Sequence, residues 1–169
     1  LGNPISNASN LLKFEDSLVL VMNAGMYKID QSPQGLYIQE SKLIQRTNKV
    51  QNAYGNFYMQ PNGVFYIQND TPKIIQTSVL KLDSNISYAT QSGPMLVVDG
   101  KKHSKFIKGS KNLNIRNGIG ILPNGNVLFA ISKGPSAHLR PTLAPLSTSS
   151  IEQISSSTIW AESLTKTLK

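Results

Sequence analysis

Between residues 17 and 133 the chain repeatedly alternates short apolar runs with turn-forming residues. The runs are rich in Val, Ile, Tyr and Phe, and each is bounded by Gly, Asn, Asp or Pro. Because β-branched and aromatic side chains fit a pleated surface, this pattern is typical of β-strands. A chain of 169 residues is expected to form one core. Strands are predicted at residues 17–22, 36–39, 55–60, 64–68, 74–80, 95–98, 118–122 and 127–132.

Three short segments between these runs have the composition of hairpin turns. Pro-Asn-Gly occurs at residues 61–63 and again at 123–125, and Asp-Gly occurs at 99–100. These residues tolerate the positive φ angles of tight hairpins, which join antiparallel strands. With a short helix predicted at residues 5–14, the pattern indicates an α+β fold, predominantly an antiparallel or mixed β-sheet meander with few short helices. The two Pro-Asn-Gly segments are either an internal repeat or two uses of a common turn.

The composition changes after Gly134. Residues 141–169 are rich in Ser and Thr, and Glu152 and Glu162 are their only acids. Apolar residues in this segment have helical spacing, but β-branched Thr and Ile and the clustered Ser make such a helix weak. We therefore expect a domain at residues 1–140 and a divergent tail at 141–169 that is weakly helical or disordered.

The chain is strongly basic, with a net charge of +8 and a pI of about 9.7. This charge favours anionic partners such as phosphates or anionic glycans, although a solvated basic surface has the same composition. The densest basic segment, residues 101–111, contains only Phe106 as a stacking partner. We therefore do not expect nucleic-acid binding, and polyanion binding through this segment is a lower alternative.

Cysteine is absent, which excludes disulfide bonds and thiolate chemistry within this chain. His103 and His138 do not have the spacing of metal ligands, so we expect neither a metal site nor a cofactor. No apolar run reaches the length of a membrane span. Because the sequence begins at Leu1 without a signal-peptide pattern, we expect a periplasmic or extracellular location if an upstream signal segment is removed and a cytoplasmic one otherwise.

Three segments rich in Gly and Asn lie at the ends of apolar runs: residues 22–26 (Met-Asn-Ala-Gly-Met), 91–94 (Gln-Ser-Gly-Pro) and 115–120 (Ile-Arg-Asn-Gly-Ile-Gly). Glycine permits close backbone approach and amide side chains both donate and accept hydrogen bonds, so the segments suit ligand binding at one rim of the sheet. Together with residues 54–58 and 61–65, their order and spacing resemble the phosphodiester glycosidase family. That family includes the uncovering enzyme, which removes N-acetylglucosamine from a sugar phosphodiester, and many bacterial proteins. The resemblance covers roughly residues 18–133.

The resemblance implies catalytic roles for Asn23 and Arg116. Asn23 ends the most apolar run, and the backbone amides of Ala24 and Gly25 beside it can hold a phosphate or sugar oxygen; taken alone, Asn23 is equally a turn residue. The guanidinium of Arg116 can bind phosphodiester oxygens and offset charge on the leaving phosphate. The alternative for Arg116 is a structural salt bridge to Asp30, Asp83 or Asp99.

The other polar residues of these motifs are expected to bind substrate. Ser92 lacks a Gly-x-Ser-x-Gly context, so we expect it to hydrogen-bond to the ligand and not to act as a nucleophile. Neutral amides suit sugar hydroxyls. The three motif segments are expected to meet in one pocket. The expected substrate-binding residues are Ala24, Gly25, Asn56, Gln91, Ser92, Gly93, Asn117 and Lys133.

Acidic residues are scarce, although glycoside cleavage normally requires two facing carboxyl groups. Of the nine Asp and Glu residues, only Asp30, shortly after Asn23, is well placed as an acid or base. The late Leu-Asp-Gly-Gly segment expected from the family has no match. We therefore expect a phosphodiester glycosidase-like domain that binds a sugar-1-phosphodiester and, if active, hydrolyses it, with Asp30 as the proton carrier. The alternative is a noncatalytic glycan- or phosphate-binding module or an inactive truncated remnant.

Overall fold

The computed structural model describes residues 22–106, 111, 113–114, 116–132 and 135, together with the backbone of residues 157–162. These residues form two five-stranded sheets. The first sheet comprises β1 (Tyr37–Gln39), β2 (Lys42–Gln45), β3 (Gly63–Gln68), β4 (Thr71–Gln76) and β5 (Ile86–Ser92). The second comprises β6 (Met95–Val98), β7 (Lys101–Lys102), β8 (Arg116–Ile121), β9 (Val127–Ile131) and β10 (Ser157–Glu162).

The two sheets have the same strand order. The first runs β2-β1-β5-β3-β4 and the second runs β7-β6-β10-β8-β9. In each sheet two hairpins flank a central strand that comes last in the chain, and all eight strand pairings are antiparallel. The fold is therefore not a simple meander, because β5 and β10 each insert between two earlier hairpins.

The prediction of a mainly antiparallel β-sheet protein is confirmed, but the α+β label fits only loosely. Within the described residues the helical segments are single 3₁₀ turns at Asn56–Tyr58 and Thr77–Val79. The helix predicted at residues 5–14 lies outside the described residues. So does almost all of the predicted strand at 17–22, of which only Met22 is described.

Two of the three predicted hairpin turns are confirmed. Residues 99–100 join β6 to β7 with positive φ at both positions, and residues 123–125 lie between β8 and β9. The prediction at 61–63 is wrong, because this Pro-Asn-Gly follows a 3₁₀ turn and leads into β3. The two Pro-Asn-Gly segments therefore do not occupy equivalent positions, and the repetition lies in the sheet topology.

Two tight turns were missed because neither contains Gly. Glu40 and Ser41 join β1 to β2 with φ of 48° and 61°, and Asn69 and Asp70 join β3 to β4 with φ of 48° and 56°. Asn and Asp adopt this left-handed conformation more readily than other residues with a side chain. For Glu40 and Ser41 the flanking strand pairs impose a conformation that local preference does not favour.

Several predicted strands were shifted or missed. The segment 55–60 forms a 3₁₀ turn in place of a strand, and the strand predicted at 74–80 ends at Gln76. The central strand β5 was missed because its sequence, Ile-Ser-Tyr-Ala-Thr-Gln-Ser, is largely polar. The strand β10 lies in the tail, for which the sequence predicted a weak helix or disorder; it contains the strand-favouring residues Thr158, Ile159 and Trp160.

The main core lies on one face of the first sheet. It is formed by side chains from β1, β3 and β5 and from the residue preceding β1, with Ile75 and Leu80 packed against them. Its buried members are Leu36, Ile38, Val64, Tyr66, Ile86 and Ala89. The sheets contact each other because β10 approaches β3, β4 and β5, and β4 also approaches β8. Among the described residues, no helix is long and apolar enough to cross a membrane.

Candidate functional site

A direct side-chain contact joins the first motif segment to the third. The Asn117 Nδ2 donates to the Asn23 Oδ1 at 2.7 Å, and the Asn23 Nδ2 donates to the Gly25 carbonyl at 3.1 Å. Asn117 is only 2 % exposed, and its Oδ1 has no hydrogen-bond partner among the described residues. The loop of residues 22–25, named the Asn23 loop below, is thus tied to the start of β8.

The Asn23 loop also packs closely on the end of β5. A Cβ atom added at Gly25 would collide with the hydroxyl of Thr90 and lie 2.9 Å from the Gln91 carbonyl oxygen. Glycine is therefore needed here for close backbone approach. Ala24 beside it is exposed. The first motif segment therefore contacts the other two: Gly25 packs against the end of β5, and Asn23 accepts a hydrogen bond from Asn117 of β8.

The side chain of Gln91 makes three hydrogen bonds to backbone groups of the protein. Its Oε1 accepts hydrogen bonds from the backbone N–H of Leu36 at 3.0 Å and of Asn48 at 2.9 Å, and its Nε2 donates to the Asn48 carbonyl at 2.7 Å. The side chain is 1 % exposed. These contacts connect β5 to the start of β1 and to the loop after β2, so the structure places Gln91 in the scaffold of the site.

Gly93 contacts the turn that carries Asn56. A Cβ atom at Gly93 would lie 2.6 Å from the Phe57 carbonyl oxygen and 2.9 Å from the Asn62 Cβ. The Asn62 Nδ2 donates to that same Phe57 carbonyl at 3.0 Å. Ser92, which precedes Gly93, is buried and pairs with Gly63 across the first sheet. The second motif segment therefore fixes the 3₁₀ turn at residues 56–58.

Arg116 is the first residue of β8 and is 4 % exposed. Its backbone N–H donates to the Ser132 Oγ at 2.8 Å, and its carbonyl accepts from the Ser132 N–H at 2.7 Å. Because neighbouring side chains of a strand leave opposite faces, Arg116 and Asn117 do not project together. A ligand would contact both only at the strand end, where the two faces meet.

The described carboxylates are distributed on the surface. Asp30, Glu40, Asp70, Asp83 and Asp99 are all exposed. The backbone register also places Glu162 of β10 directly opposite Arg116. Sequence reasoning had assigned Glu162 to the tail without a role, because this pairing joins residues far apart in the chain.

Asp30 lies near the tip of a small loop whose base is closed by a bridge between Tyr27 and Pro33. Its Oδ1 accepts from the Ser32 hydroxyl at 2.6 Å and from the Ser32 N–H at 3.0 Å. These two hydrogen bonds, the hydroxyl first, hold the pKa of the Asp30 carboxyl below its usual value. Asp30 is therefore ionised near neutral pH, which opposes a role as proton donor. Lys133, the remaining expected site residue, lies outside the described residues.

A cleft of about 210 Å³ opens beside the Asn23 loop. Its floor is Phe57, which is buried and makes an edge-to-face contact with Tyr58. Of the residues expected to bind substrate, only Asn56 lines this cleft. Tyr27, Gln34 and Tyr54 were not expected from the sequence, in which their only signal is a tyrosine a few residues from an amide side chain. The described residues that line the cleft are Met26, Tyr27, Gln34, Tyr54, Gly55, Asn56 and Phe57.

Comparison with known proteins identifies the family of this chain. The family model for phosphodiester glycosidases matches residues 16–153. The chain belongs to this family. The matched range includes the strands β1 to β9, the Asn23 loop and the cleft. The resemblance based on the sequence motifs is confirmed at the level of the phosphodiester glycosidase family.

Two relatives illustrate the similarity. The Escherichia coli (strain K12) protein YigE is 35 % identical over 114 residues, which are 68 % of this chain and 44 % of YigE. The solved catalytic domain of zebrafish N-acetylglucosamine-1-phosphodiester alpha-N-acetylglucosaminidase, auto-inhibited by its pro-peptide, has a TM-score of 0.52 at 13 % identity. That match covers 83 % of this chain and 49 % of the zebrafish chain, and it shows a common fold. The chain thus spans about half the length of these relatives.

Proposed function

We propose that this phosphodiester glycosidase domain hydrolyses a sugar-1-phosphodiester. The observation that most directly supports this proposal is the 2.7 Å hydrogen bond from Asn117 to Asn23, which joins two family motifs. Asn117 follows Arg116, whose side chain is buried, directly in the chain. In the proposed reaction, water adds to the anomeric carbon and the bond from that carbon to the phosphate-ester oxygen breaks. The leaving phosphodiester oxygen takes a proton, and the products are the free sugar and a phosphate monoester.

The roles follow from the chemistry of each group. Arg116 would offset negative charge on the phosphate, since a guanidinium donates several hydrogen bonds in a fixed plane. Asn23 and the backbone N–H groups of Ala24 and Gly25 would hold phosphate or sugar oxygens. The remaining contacts to sugar are assigned to Asn56, Ser92, Asn117 and Lys133. Gly93 would let the backbone approach the ligand, and Gln91 would position the surrounding loops.

Asp30 is the candidate for proton transfer. Asp30 is proposed as the base that activates water, because its carboxyl is ionised at neutral pH, although the Ser32 hydroxyl and N–H that lower its pKa also weaken it as a base. A base must be deprotonated, so kcat/KM would stay high as the pH falls and would decline only below the usual titration range of an Asp carboxyl.

The proposal is tested by measuring turnover of a phosphodiester-linked N-acetylglucosamine, the substrate class from which the zebrafish enzyme takes its name. Arg116→Gln is expected to lower kcat/KM by roughly 10²- to 10³-fold, which is typical for loss of one group that stabilises transition-state charge. The matched control is Arg46→Gln, because Arg46 is exposed in the loop after β2. Both variants are checked for an unchanged Tm.

Three outcomes would contradict the proposal. One is absence of turnover by the unmodified chain under conditions where it is folded. Another is an equal loss in the Arg116→Gln and Arg46→Gln variants, which would indicate diffuse charge attraction. The third concerns proton transfer: if Asp30→Asn retains the wild-type pH profile, Asp30 is not the base.

A further inference from the structure

The cleft lined by Tyr27, Gln34, Tyr54 and Asn56 has two walls from separate loops. Tyr27 and Gln34 lie on the loop that follows the Asn23 loop, and Tyr54 and Asn56 lie before and within the 3₁₀ turn at 56–58. The walls are packed together at their base. A Cβ atom at Gly35 would lie only 2.7 Å from the Phe57 Cζ and would collide with the Gln91 Oε1. The cleft is therefore built on a close-packed and hydrogen-bonded support.

The polar groups of the cleft are available to a ligand. The side-chain amides of Gln34 and Asn56 are half-buried, and neither makes a hydrogen bond within the described part of the chain. Tyr54 is fully exposed and Tyr27 is 39 % exposed. The hydroxyls of these tyrosines likewise have no partner within the described ranges. An exposed tyrosine offers a flat apolar face together with a polar edge.

None of the described residues that line this cleft is charged. Its lining of aromatic rings, Met and neutral amides disfavours a phosphate group, which binds best to cations or clustered backbone N–H groups. A pyranose ring has the opposite chemistry, with apolar C–H faces and a rim of neutral hydroxyls. The volume of about 210 Å³ is below the roughly 300–1,000 Å³ of sites for drug-sized ligands. It suits one sugar ring.

We propose that this cleft binds a sugar ring of the substrate, stacked on Tyr54 and Tyr27 and hydrogen-bonded by Gln34 and Asn56. The inference rests on the proposed function, because it assigns the sugar part of the same substrate to a second position. Met26 of the cleft is three residues from Asn23, and three residues span at most about 11 Å. A sugar phosphodiester can therefore reach from the cleft to the Asn23 loop.

The test is binding of free N-acetylglucosamine to the full chain, measured by titration and by saturation-transfer NMR. Tyr54→Ala is expected to weaken binding roughly fivefold to tenfold, the size of one stacking contact. Tyr54→Phe, which keeps the ring, is expected to stay within about twofold of wild type. Tyr88→Ala is the matched control, because Tyr88 is a half-exposed tyrosine of β5 outside the cleft.

Inorganic phosphate provides the second probe. If the cleft binds sugar only, Tyr54→Ala leaves phosphate binding unchanged, which also shows that the variant is folded. The inference is overturned if the unmodified chain does not bind the monosaccharide, or if Tyr54→Ala and Tyr88→Ala bind it equally well. Its failure is distinguishable from failure of the proposed function, because sugar binding and turnover are measured independently.

Discussion

Gln91 shows how a single buried residue supports the loops around the cleft. Its amide is the hydrogen-bond partner of two backbone N–H groups and one carbonyl, on segments more than forty residues away in sequence. Those segments precede β1 and follow β2. Gln34, whose carbonyl accepts from the Asn48 Nδ2 at 3.0 Å, lines the cleft. Burying a polar side chain costs free energy unless the side chain forms hydrogen bonds, and Gln91 forms three.

Replacing Gln91 with Leu is therefore expected to destabilise the protein. The backbone N–H groups of Leu36 and Asn48 would lose their shared acceptor, and a buried unpaired donor costs about 1–3 kcal/mol. We expect the free energy of unfolding to fall by about 2–4 kcal/mol, measured by urea denaturation.

Gln39→Leu is the control for this prediction. The Gln39 side chain is exposed and accepts only one hydrogen bond, from the Tyr37 hydroxyl at 3.0 Å. Its loss is expected to change the free energy of unfolding by no more than about 0.5 kcal/mol. Equal effects of the two substitutions would show that the Gln91 contacts contribute no special stability.

At the scale of elements, the end of β5 determines where the neighbouring loops lie. Gly25 and Gly35 pack against residues 90–91, and Gly93 packs against the 3₁₀ turn at 56–58. Because these glycines lack a Cβ atom, neighbouring atoms can approach their backbone more closely than a side chain would allow. The Asn23 loop, the cleft and the second motif are thus arranged around one strand end.

Gly93→Ala is expected to lower the free energy of unfolding by about 1–3 kcal/mol, because overpacked atoms force the backbone to shift. The new Cβ would lie 2.6 Å from a backbone oxygen, which cannot rotate away as a side chain can. Thermal and urea unfolding measure the change. Sugar binding is expected to weaken as well, since Asn56 lies on the displaced turn.

Gly125→Asn serves as the comparison. Gly125 has a φ of 85°, and nothing lies within 4 Å of a Cβ added there. Asn tolerates positive φ better than most residues, so the cost is expected to be less than about 1 kcal/mol. A Gly93→Ala variant as stable as wild type would refute the close packing at the end of β5.

At the scale of the whole molecule, two sheets of the same strand order contact each other. The central strand of each sheet is the last of its strands in the chain. In the second sheet this strand is β10, which pairs with β6 on one side and β8 on the other. Without β10, those two strands would present unpaired edges, which are prone to aggregation. The start of β8 carries Arg116 and Asn117, so β10 also supports the site.

Ending the chain after residue 156 is expected to lower its stability by at least about 3 kcal/mol, or its Tm by roughly 6–12 °C. Ending it after residue 162 retains β10 and is the matched control. Calorimetry and light scattering would measure the transition and any aggregation. An equal Tm for the two truncated chains would contradict a central β10 and favour the expectation of a weakly structured tail.

The sequence by itself was sufficient for the strand-rich, antiparallel character, the turns at 99–100 and 123–125 and the family motifs. These features are local, since strand preference, turn chemistry and motif spacing are encoded by residues close in the chain. The tertiary structure alone decided the strand order, the scaffold role of Gln91 and the cleft formed with Tyr27 and Tyr54. These depend on pairing between distant residues, for which a polar strand such as β5 or a tight turn without Gly gives no local signal.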